Sequence, residues 1–408
     1  MSDPAPLACL EAACDGLSRV GVAVSGGGDS VAALALAVDI LGPARVAAVT
    51  VDHGLRPEAA AEADFVGGVC ARLGVEHAVL RWDGVHRGNL MEAARTARLR
   101  LIADWARGRV DAVVLAHTLD DQAETVLMRL ARGSGVDGLS GMAAQRWAFG
   151  VLWLRPFLRV TRAALRAELR ARGQGWVEDP TNADPAYLRV QARRALDALA
   201  SLGITAEGLA VTAWRMRRAR EALESDVQAA LDTLVREERG TLLIAEGARS
   251  LTDEIRLRMF AHLLGHLGGS HYRPRLAELE RLVRTGQGTL GGCVLAPRGT
   301  GWRLWREARA VRSSLPWDGR WTLVGGDGAP AMIAALGEAG LLTLSRQAAA
   351  GMHAHWRDTG LPRSALAGLP AVWRDGRLIA SPLTCWPQGW TLNAQPLAPI
   401  VTPASLSH

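Results

Sequence analysis

A six-residue segment, Ser25-Gly26-Gly27-Gly28-Asp29-Ser30, combines residue types that hold phosphate groups. Glycine lets backbone N–H groups approach phosphate oxygens closely, and the two serine hydroxyls can donate hydrogen bonds. The Asp29 carboxylate would repel a phosphate directly, but it can hold a Mg²⁺ ion that bridges and neutralises phosphate oxygens. The segment therefore predicts a nucleotide site with Asp29 as the metal ligand. The alternative is a plain glycine turn in which Asp29 or Ser30 caps the next helix.

The basic residues exclude one large class of nucleotide-binding protein. The chain has no lysine, and all 47 of its basic residues are arginine. A Walker-type phosphate loop requires a lysine after its glycines, so this class of NTPase is excluded.

Two carboxylates have a spacing that suits an amine. Asp121 and Glu124 are three residues apart near the start of a helical pattern, and they therefore share one helix face. Such a pair could hold a cationic amine, although acids at a helix start also favour the helix dipole. Arg95 and Arg98 have the same spacing, with a solvated helix face as the alternative.

Three groups of arginines could contact an RNA backbone. Each recurs at helical spacing with few acids between its members, and a solvated helix face is the alternative for each. The groups are Arg162, Arg166 and Arg170; Arg189, Arg193 and Arg194; and Arg215, Arg217, Arg218 and Arg220.

The first half of the chain alternates short apolar runs with helical patterns, which predicts an α/β fold with a doubly wound parallel sheet. Ligands of such sheets bind at the carboxyl ends of the strands, where this chain has polar residues. The predicted strands are Val22–Val24, Val46–Val51, Val75–Leu80 and Ala112–Ala116. The predicted helices are Val31–Leu41, Glu58–Leu73, Leu90–Arg107 and Leu119–Arg132.

The second half has a different character. Arginine-rich helical patterns cover about 187–236, 252–267 and 276–285, and short β-type runs with Gly and Pro dominate from residue 288 onward. Eight of the 14 tryptophans lie between Trp302 and Trp390, where they are expected to form core. We predict a domain with the parallel sheet over 1–200, a mainly helical domain over 201–300, and a Trp-rich, β-containing region over 301–408.

Composition indicates a globular protein with an anionic partner. The chain has 408 residues, 49% hydrophobic residues and a formal charge of +6, which suits a nucleic acid. Five scattered cysteines without a C-x-x-C pair predict neither a disulfide framework nor a zinc site. The N-terminus has no basic residue before its apolar part, and no apolar run is long enough for a membrane span. We expect a cytoplasmic protein without a membrane partner. Its oligomeric state is open, with a homodimer among the options.

A glycine-rich loop and four further motifs give the chain a family resemblance. Ser25–Ser30 resembles the PP-loop of the N-type ATP pyrophosphatases. VDHGLRPEAAAEADFV (51–66), NLMEAARTARL (89–99) and AHTLDDQAETVLMRLARGSGVDGLSGM (116–142) resemble segments of tRNA(Ile)-lysidine synthetases, as does EDPTNADPAYLRVQARR (178–194). Leu99 and Val190 depart from the tyrosine and asparagine that are typical at these positions. After about residue 200 the likeness is loose.

The resemblance implies the role of each site residue. ATP would bind Ser25, Gly26, Gly27, Gly28, Asp29, Ser30, Asp52 and His53, with Mg²⁺ on Asp29. Lysine would bind Asp121, Glu124 and Arg98, and the catalytic residues would be Asp29, Arg98, Asp121 and Glu124. The tRNA would contact Arg132, Ser134, Arg189 and Arg193.

The implied reaction joins free lysine to the wobble cytidine of a minor isoleucine tRNA with a CAU anticodon. ATP would adenylate the 2-carbonyl oxygen, and the lysine ε-amine would then displace AMP. Codon reading would change from AUG to AUA. The alternatives are a tRNA thiolase or an amidating synthetase of the same superfamily, and a non-catalytic RNA-binding relative. A thiolase generally needs catalytic cysteines, and an amidating synthetase a glutaminase domain or a terminal cysteine nucleophile.

Overall fold

The computed structural model divides the chain into two compact units, Met1–Arg220 and Glu221–Thr402. It describes residues 4–52, 54, 58–82, 84, 90–178, 184, 186–269, 273–314, 316–326, 330–397 and 399–400. The division between the units falls inside one long helix, and the three functional domains expected from the sequence stay a prediction.

The first unit is built on a six-stranded sheet of order β3-β2-β1-β4-β6-β5. All neighbouring strands are parallel except β5, which pairs antiparallel with β6. The strands are β1 Val20–Ala23, β2 Val46–Asp52, β3 Glu76–Arg81, β4 Ala112–Val114, β5 Gln145–Ala148 and β6 Val151–Leu154. The helices are α1 Pro6–Cys14, α2 Gly28–Leu41, α3 Glu58–Leu73, α4 Leu90–Ala106, α5 Leu119–Leu130, α6 Val136–Leu139, α7 Arg162–Ala171, α8 Leu188–Leu199 and α9 Ala206–Leu234, which ends in the second unit.

Both faces of this sheet are buried, which explains the continuous apolar runs of its strands. Alternate residues of β1 enter different cores: Val22 packs with Leu34 and Leu165 on one side, and Ala23 packs with Ile102 and Trp153 on the other. The doubly wound parallel sheet predicted from the sequence is confirmed. Chain order reverses between β1 and β4, which is where ligands of open α/β sheets bind.

Two features differ from the sequence-based expectation. Helix α2 begins at Gly28, three residues before the predicted start at Val31, because glycines 27 and 28 take extended and helical conformations without a turn between them. The β5–β6 hairpin was not predicted. Its connecting residues Phe149 and Gly150 both have positive φ, +55° and +74°, and phenylalanine is an unusual residue in such a two-residue turn.

The second unit contains three further sheets. A five-stranded antiparallel sheet of order β7-β8-β11-β10-β9 lies within the region predicted to be mainly helical. Its strands are β7 Val235–Glu238, β8 Thr241–Ile244, β9 Gly288–Leu290, β10 Cys293–Arg298 and β11 Gly301–Arg306, with α10 Asp253–Gly268 and α11 Leu276–Thr285. A two-stranded and a three-stranded sheet follow: β12 Trp321–Gly325 with β16 Trp390–Ala394, and β13 Met332–Ala335, β14 Pro370–Arg374 and β15 Arg377–Ala380 with α12 Gly337–Ala349 and α13 Arg363–Ala367.

The late tryptophans form core, as predicted. Trp302 packs edge-on against Phe260 beneath the five-stranded sheet, and Trp317 and Trp321 form a smaller cluster with Leu392. Buried among the eight are Trp302, Trp305, Trp317, Trp321, Trp356 and Trp386.

Within the described part of the chain, no single helix is long and apolar enough to cross a membrane. Two consecutive helical segments, Leu188–Leu202 and Ala206–Leu234, have the length and composition of a membrane span only when they are counted together, and a 98° bend separates them.

Candidate active site

The glycine segment forms a pre-organised loop between β1 and α2. The Ser25 N–H donates to Ser30 Oγ at 3.1 Å, and Ser30 Oγ in turn donates to the Gly27 carbonyl at 2.9 Å. Gly26 has φ +87°, a conformation that side chains other than glycine adopt only at a cost, and its carbonyl accepts from the Val177 N–H at 2.9 Å. The conformation of the loop is therefore fixed by hydrogen bonds within it and by one from Val177.

The start of α2 has the character of an anion site. Its N-cap is Gly27, and no side chain caps the helix in this described segment. The alternative in which Asp29 or Ser30 caps α2 is therefore wrong. Uncapped N–H groups at a helix start carry the positive end of the helix dipole, which favours a phosphate.

Asp29 lies in the first turn of α2 and pairs with the same arginine, Arg162, as the acids of α5. Its Oδ2 accepts a hydrogen bond from Arg162 Nε at 3.1 Å. Its Oδ1 is buried and has no hydrogen-bond partner among the described residues. Burial raises the pKa of Asp29 to about 6, against the opposing charge of Arg162.

Asp121 is tied to the start of α5. Thr118 and Asp121 form a capping box, in which Asp121 Oδ2 accepts from the Thr118 N–H at 2.8 Å and from its hydroxyl at 3.0 Å. Asp121 Oδ1 accepts from Arg162 Nη2 at 2.9 Å. Burial opposes ionisation of Asp121, but the Arg162 charge and these hydrogen bonds outweigh it and lower its pKa.

Glu124 follows one turn later and is 1% exposed. Its Oε1 accepts two hydrogen bonds from Arg193, at 3.0 Å from Nε and 2.8 Å from Nη2, and lies 3.8 Å from Arg162 Nη1. Its Oε2 is buried and has no hydrogen-bond partner in the described part of the chain. Burial, helped by the charge of Asp121, raises the pKa of Glu124. The two acids thus differ: Asp121 stays ionised, whereas Glu124 binds a proton more readily.

The other residues predicted for the site lie on several different elements. Asp52 ends β2, and its Oδ1 accepts from the Gly54 N–H at 2.8 Å; His53 lies outside the described residues. Arg98 is on α4, half-buried, and burial lowers its pKa. Arg98 and Arg189 both help to lower the pKa of His117, so their positive charges act at the carboxyl end of β4. Arg132 is exposed and Ser134 half-buried in the loop after α5.

Arg162 is a residue of the candidate site that the sequence patterns do not single out. It belongs to the group with Arg166 and Arg170, for which the sequence leaves a solvated face or an RNA contact open, and for Arg162 the solvated-face interpretation is wrong. Its side chain is 19% exposed because it is the first residue of α7 and turns inward onto Asp29 and Asp121. Arg166 pairs with Glu178 and lies over Trp176. No local pattern distinguishes Arg162, because it has the same four-residue spacing as Arg166 and Arg170.

The donor set around Asp29 suits one kind of metal site. No group of three or more His, Cys, Asp or Glu side chains that could hold a metal occurs among the residues that the structure describes. An ion held by protein ligands alone is therefore not supported there. Mg²⁺ commonly binds through one or two carboxylates together with substrate phosphates, and the unpartnered, buried Oδ1 of Asp29 beside the glycine loop fits that mode.

Comparison with known proteins places this site in a family. The model of the PP-loop domain matches residues 7–199. A tRNA(Ile)-lysidine synthase from Ruegeria pomeroyi is 46% identical over 358 residues, which are 84% of this chain and 83% of that protein. The chain belongs to the tRNA(Ile)-lysidine synthase family. Further family members are similar as well: one from Methylobacterium nodulans is 46% identical over 64% of this chain and 78% of its own length, and one from Rhizobium meliloti is 35% identical over 82% and 79%.

One solved structure resembles part of this fold. The U34-tRNA thiolase NcsA from Methanococcus maripaludis aligns with 53% of this chain and 78% of its own, at 16% identity and a TM-score of 0.45. A likeness of this size does not bear on function. Membership of the lysidine synthase family rests on the sequence matches.

Proposed function

We propose that this family member ligates free lysine to the 2-carbon of the wobble cytidine in the CAU anticodon of a minor isoleucine tRNA. One observation supports the proposal above all: a protein named tRNA(Ile)-lysidine synthase matches 84% of the chain at 46% identity. The geometry adds that a phosphate-type loop and a buried carboxylate pair meet at the switch point of the sheet, with Arg162 hydrogen-bonded to both.

In the first half of the reaction the cytidine 2-carbonyl oxygen attacks the α-phosphorus of ATP, and pyrophosphate leaves. The loop N–H groups and the Ser25 hydroxyl bind phosphate oxygens, and the uncapped start of α2 adds its dipole. The Ser30 hydroxyl donates to the Gly27 carbonyl and so keeps the loop in shape. Asp29 Oδ1 would hold Mg²⁺, which neutralises phosphate charge when bound. The product of this half is a cytidine whose 2-oxygen is esterified to AMP.

In the second half the lysine ε-amine attacks the 2-carbon, and AMP leaves with the oxygen. The amine arrives as an ammonium and must lose protons to form the new bond. Glu124 is better suited than Asp121 to accept a proton from the amine as a general base. Its Oε2 is unpartnered in the described structure, and its pKa is raised. Asp121 remains an anion that steadies the positive charge nearby.

The test is an assay with defined components. The protein is incubated with ATP, Mg²⁺, lysine and a CAU-anticodon tRNA transcript, and the digested nucleosides are analysed. We expect lysine on the wobble cytidine together with AMP and pyrophosphate, and none when any component is omitted. A transcript whose wobble base is uridine is the matched control. Modification without lysine, or lysine incorporation at another nucleotide, would contradict the proposal.

Sulfur transfer is the alternative that the cysteines argue against. In the described structure no disulfide joins any of the five cysteines, and three of them are buried. Burial raises the pKa of Cys14, Cys70 and Cys293 to about 11, which disfavours the thiolate that sulfur chemistry needs. The burial expected for Cys70 and Cys293 is confirmed.

We predict that replacing all five cysteines by Ser or Ala preserves lysine-dependent modification. The physical reason is that the incoming amine is the nucleophile and AMP the leaving group, so no thiol takes part. The measurement is lysine incorporation per mole of folded protein, with circular dichroism as the folding control. Abolished activity in one well-folded single variant would favour a thiolase instead.

A further inference from the structure

One guanidinium joins the two halves of the candidate active site. Arg162 donates from Nε to Asp29 at 3.1 Å and from Nη2 to Asp121 at 2.9 Å, and its Nη1 lies 3.8 Å from Glu124. Asp29 belongs to the nucleotide loop, and the two other acids belong to the proposed amine site. A guanidinium presents several N–H donors in a fixed planar arrangement, so it can hold two carboxylates at a defined separation.

The backbone around Arg162 is itself held in place. Its N–H donates to Asp120 Oδ2 at 2.7 Å, and the preceding Thr161 caps α7 by accepting from the Ala164 N–H at 3.2 Å. Leu165 and Leu169 anchor the same helix in the core. Asp120 therefore holds the backbone of Arg162, and Asp121 holds its side chain. The start of α7 has little freedom relative to α5.

Two carboxylate oxygens of the site have no hydrogen-bond partner among the described residues. Asp121 has both oxygens occupied, by Arg162 and by Thr118. Asp29 Oδ1 and Glu124 Oε2 are buried without a partner among the described residues, while the second oxygen of each is held by Arg162 or Arg193. A buried carboxylate oxygen without a donor is costly, so these two oxygens are the ones that a bound cation or a proton would stabilise.

We propose that Arg162 is a positioning residue that aligns the nucleotide and amine halves of the site. By binding Asp29 and Asp121 together, it keeps Asp29 Oδ1 available on one side and Glu124 Oε2 on the other. The proposal rests on the proposed function, since it assumes that ATP with Mg²⁺ and lysine are the two ligands. Its consequence is that loss of Arg162 disturbs both ligands, although each half also has residues of its own.

The test measures binding directly, without tRNA and without turnover. Isothermal titration calorimetry gives the dissociation constants of lysine and of a non-hydrolysable ATP analogue with Mg²⁺. For Arg162→Gln we expect both to rise by roughly tenfold or more, the size of a lost charge-assisted hydrogen bond. Arg162→Lys should recover one of the two affinities at most, because an ammonium lacks the planar fork.

Two further variants make the pattern interpretable. Glu124→Gln should weaken lysine binding and leave the ATP analogue unchanged, since Glu124 belongs to one half. Arg172→Ala is the matched control on the same element: Arg172 follows α7 and pairs with Asp39 and Glu168 at the surface. It should leave both constants unchanged, and a thermal melt confirms that every variant is folded.

The possible failures are distinguishable. A wild-type protein that binds the ATP analogue but no lysine contradicts the proposed function, and the alignment role falls with it. If the wild type binds both ligands and a folded Arg162→Gln variant loses neither, or only one, the alignment role alone is overturned. If Arg162→Gln does not fold, Arg162→Lys is the test instead, and unchanged affinity for both ligands in that variant overturns the proposal.

Discussion

At the scale of single residues, Asp29 and Glu124 each have one buried carboxylate oxygen without a hydrogen-bond partner among the described residues. In both cases the second oxygen is bound to an arginine, so the pair is fixed in orientation as well as in charge. Substitutions that remove only the charge therefore test function with little change in shape.

We predict that Asp29→Asn abolishes release of AMP and pyrophosphate and leaves tRNA binding nearly unchanged. The amide has the shape of the carboxylate but cannot neutralise a Mg²⁺ ion. Steady-state release of pyrophosphate measures the first quantity, and a filter-binding assay measures the second. Asp39→Asn, on the same helix but paired with Arg172 at the surface, is the control and should retain activity. Near-normal turnover of Asp29→Asn would mean that no metal depends on this carboxylate.

The second residue-scale prediction concerns the amine. Glu124→Gln should raise the KM for lysine at least tenfold and change the KM for ATP little, because the ammonium loses its charged partner. Asp121→Asn should also raise the lysine requirement, and it should lower the melting temperature too, since it weakens the Thr118 capping box by about 1 kcal/mol. Equal increases of both Michaelis constants in Glu124→Gln would assign Glu124 a structural role.

At the scale of elements, α9 has two kinds of arginine. Arg217 donates to the Ser140 carbonyl at 2.8 Å and also to the Met142 carbonyl, and Arg220 donates to Ser140 Oγ at 3.3 Å. Arg215 and Arg218 are exposed, and Arg218 lies over the exposed ring of Trp214. Within one helix, therefore, only the second pair faces solvent, where an RNA backbone could reach it.

We predict that charge reversal of Arg215 and Arg218 to glutamate weakens tRNA binding and flattens its salt dependence. Each lost phosphate contact lowers the slope of log K against log salt by roughly 0.7 to 0.9. Binding of tRNA at several salt concentrations measures the slope. Reversal of Arg217 and Arg220 is the comparison. It should lower the melting temperature, because the hydrogen bonds to the Ser140 and Met142 carbonyls and to the Ser140 hydroxyl are lost. An unaltered slope in the Arg215 and Arg218 variant would make these residues a solvated face.

At the scale of the whole molecule, the half-buried His266 couples stability to pH. Burial, with help from Arg320 and His262, lowers the pKa of His266 to about 4. The folded state therefore disfavours protonation of His266, whereas the unfolded chain protonates it near 6.5. The stabilisation is complete above pH 6.5 and is lost progressively as the pH falls from 6.5 towards 4.

We predict that the free energy of unfolding, measured in urea, falls by about 2 kcal/mol between pH 7 and pH 5 through His266 alone. His266→Asn should lose that share of the pH dependence, although its absolute stability at pH 7 is lower. Urea titrations of both proteins at the two pH values provide the measurement. The same pH dependence in the variant and the wild type would show that His266 does not carry the effect.

Much of the first unit follows from local sequence patterns. Helix α3 has its predicted bounds, Glu58–Leu73, and β2 extends one residue beyond its predicted end at Val51. The β5–β6 hairpin was missed because its turn depends on positive φ at Phe149, which strand pairing imposes against the preference of that residue. In the second unit, the apolar patterns indicated core tryptophans but did not reveal which strands pair.

The sequence by itself determined the glycine loop, the three-residue spacing of Asp121 and Glu124, and the alternation of strands and helices. Those features depend on backbone freedom and on periodicity, which a local segment carries within itself. Only the tertiary structure decided that Arg162 joins Asp29 to Asp121. These three residues come from α7, α2 and α5, and Arg162 and Asp29 are 133 positions apart along the chain. An arginine at a helix start has the same local pattern whether it faces water or carboxylates, so its partners depend on how the helices pack against the sheet.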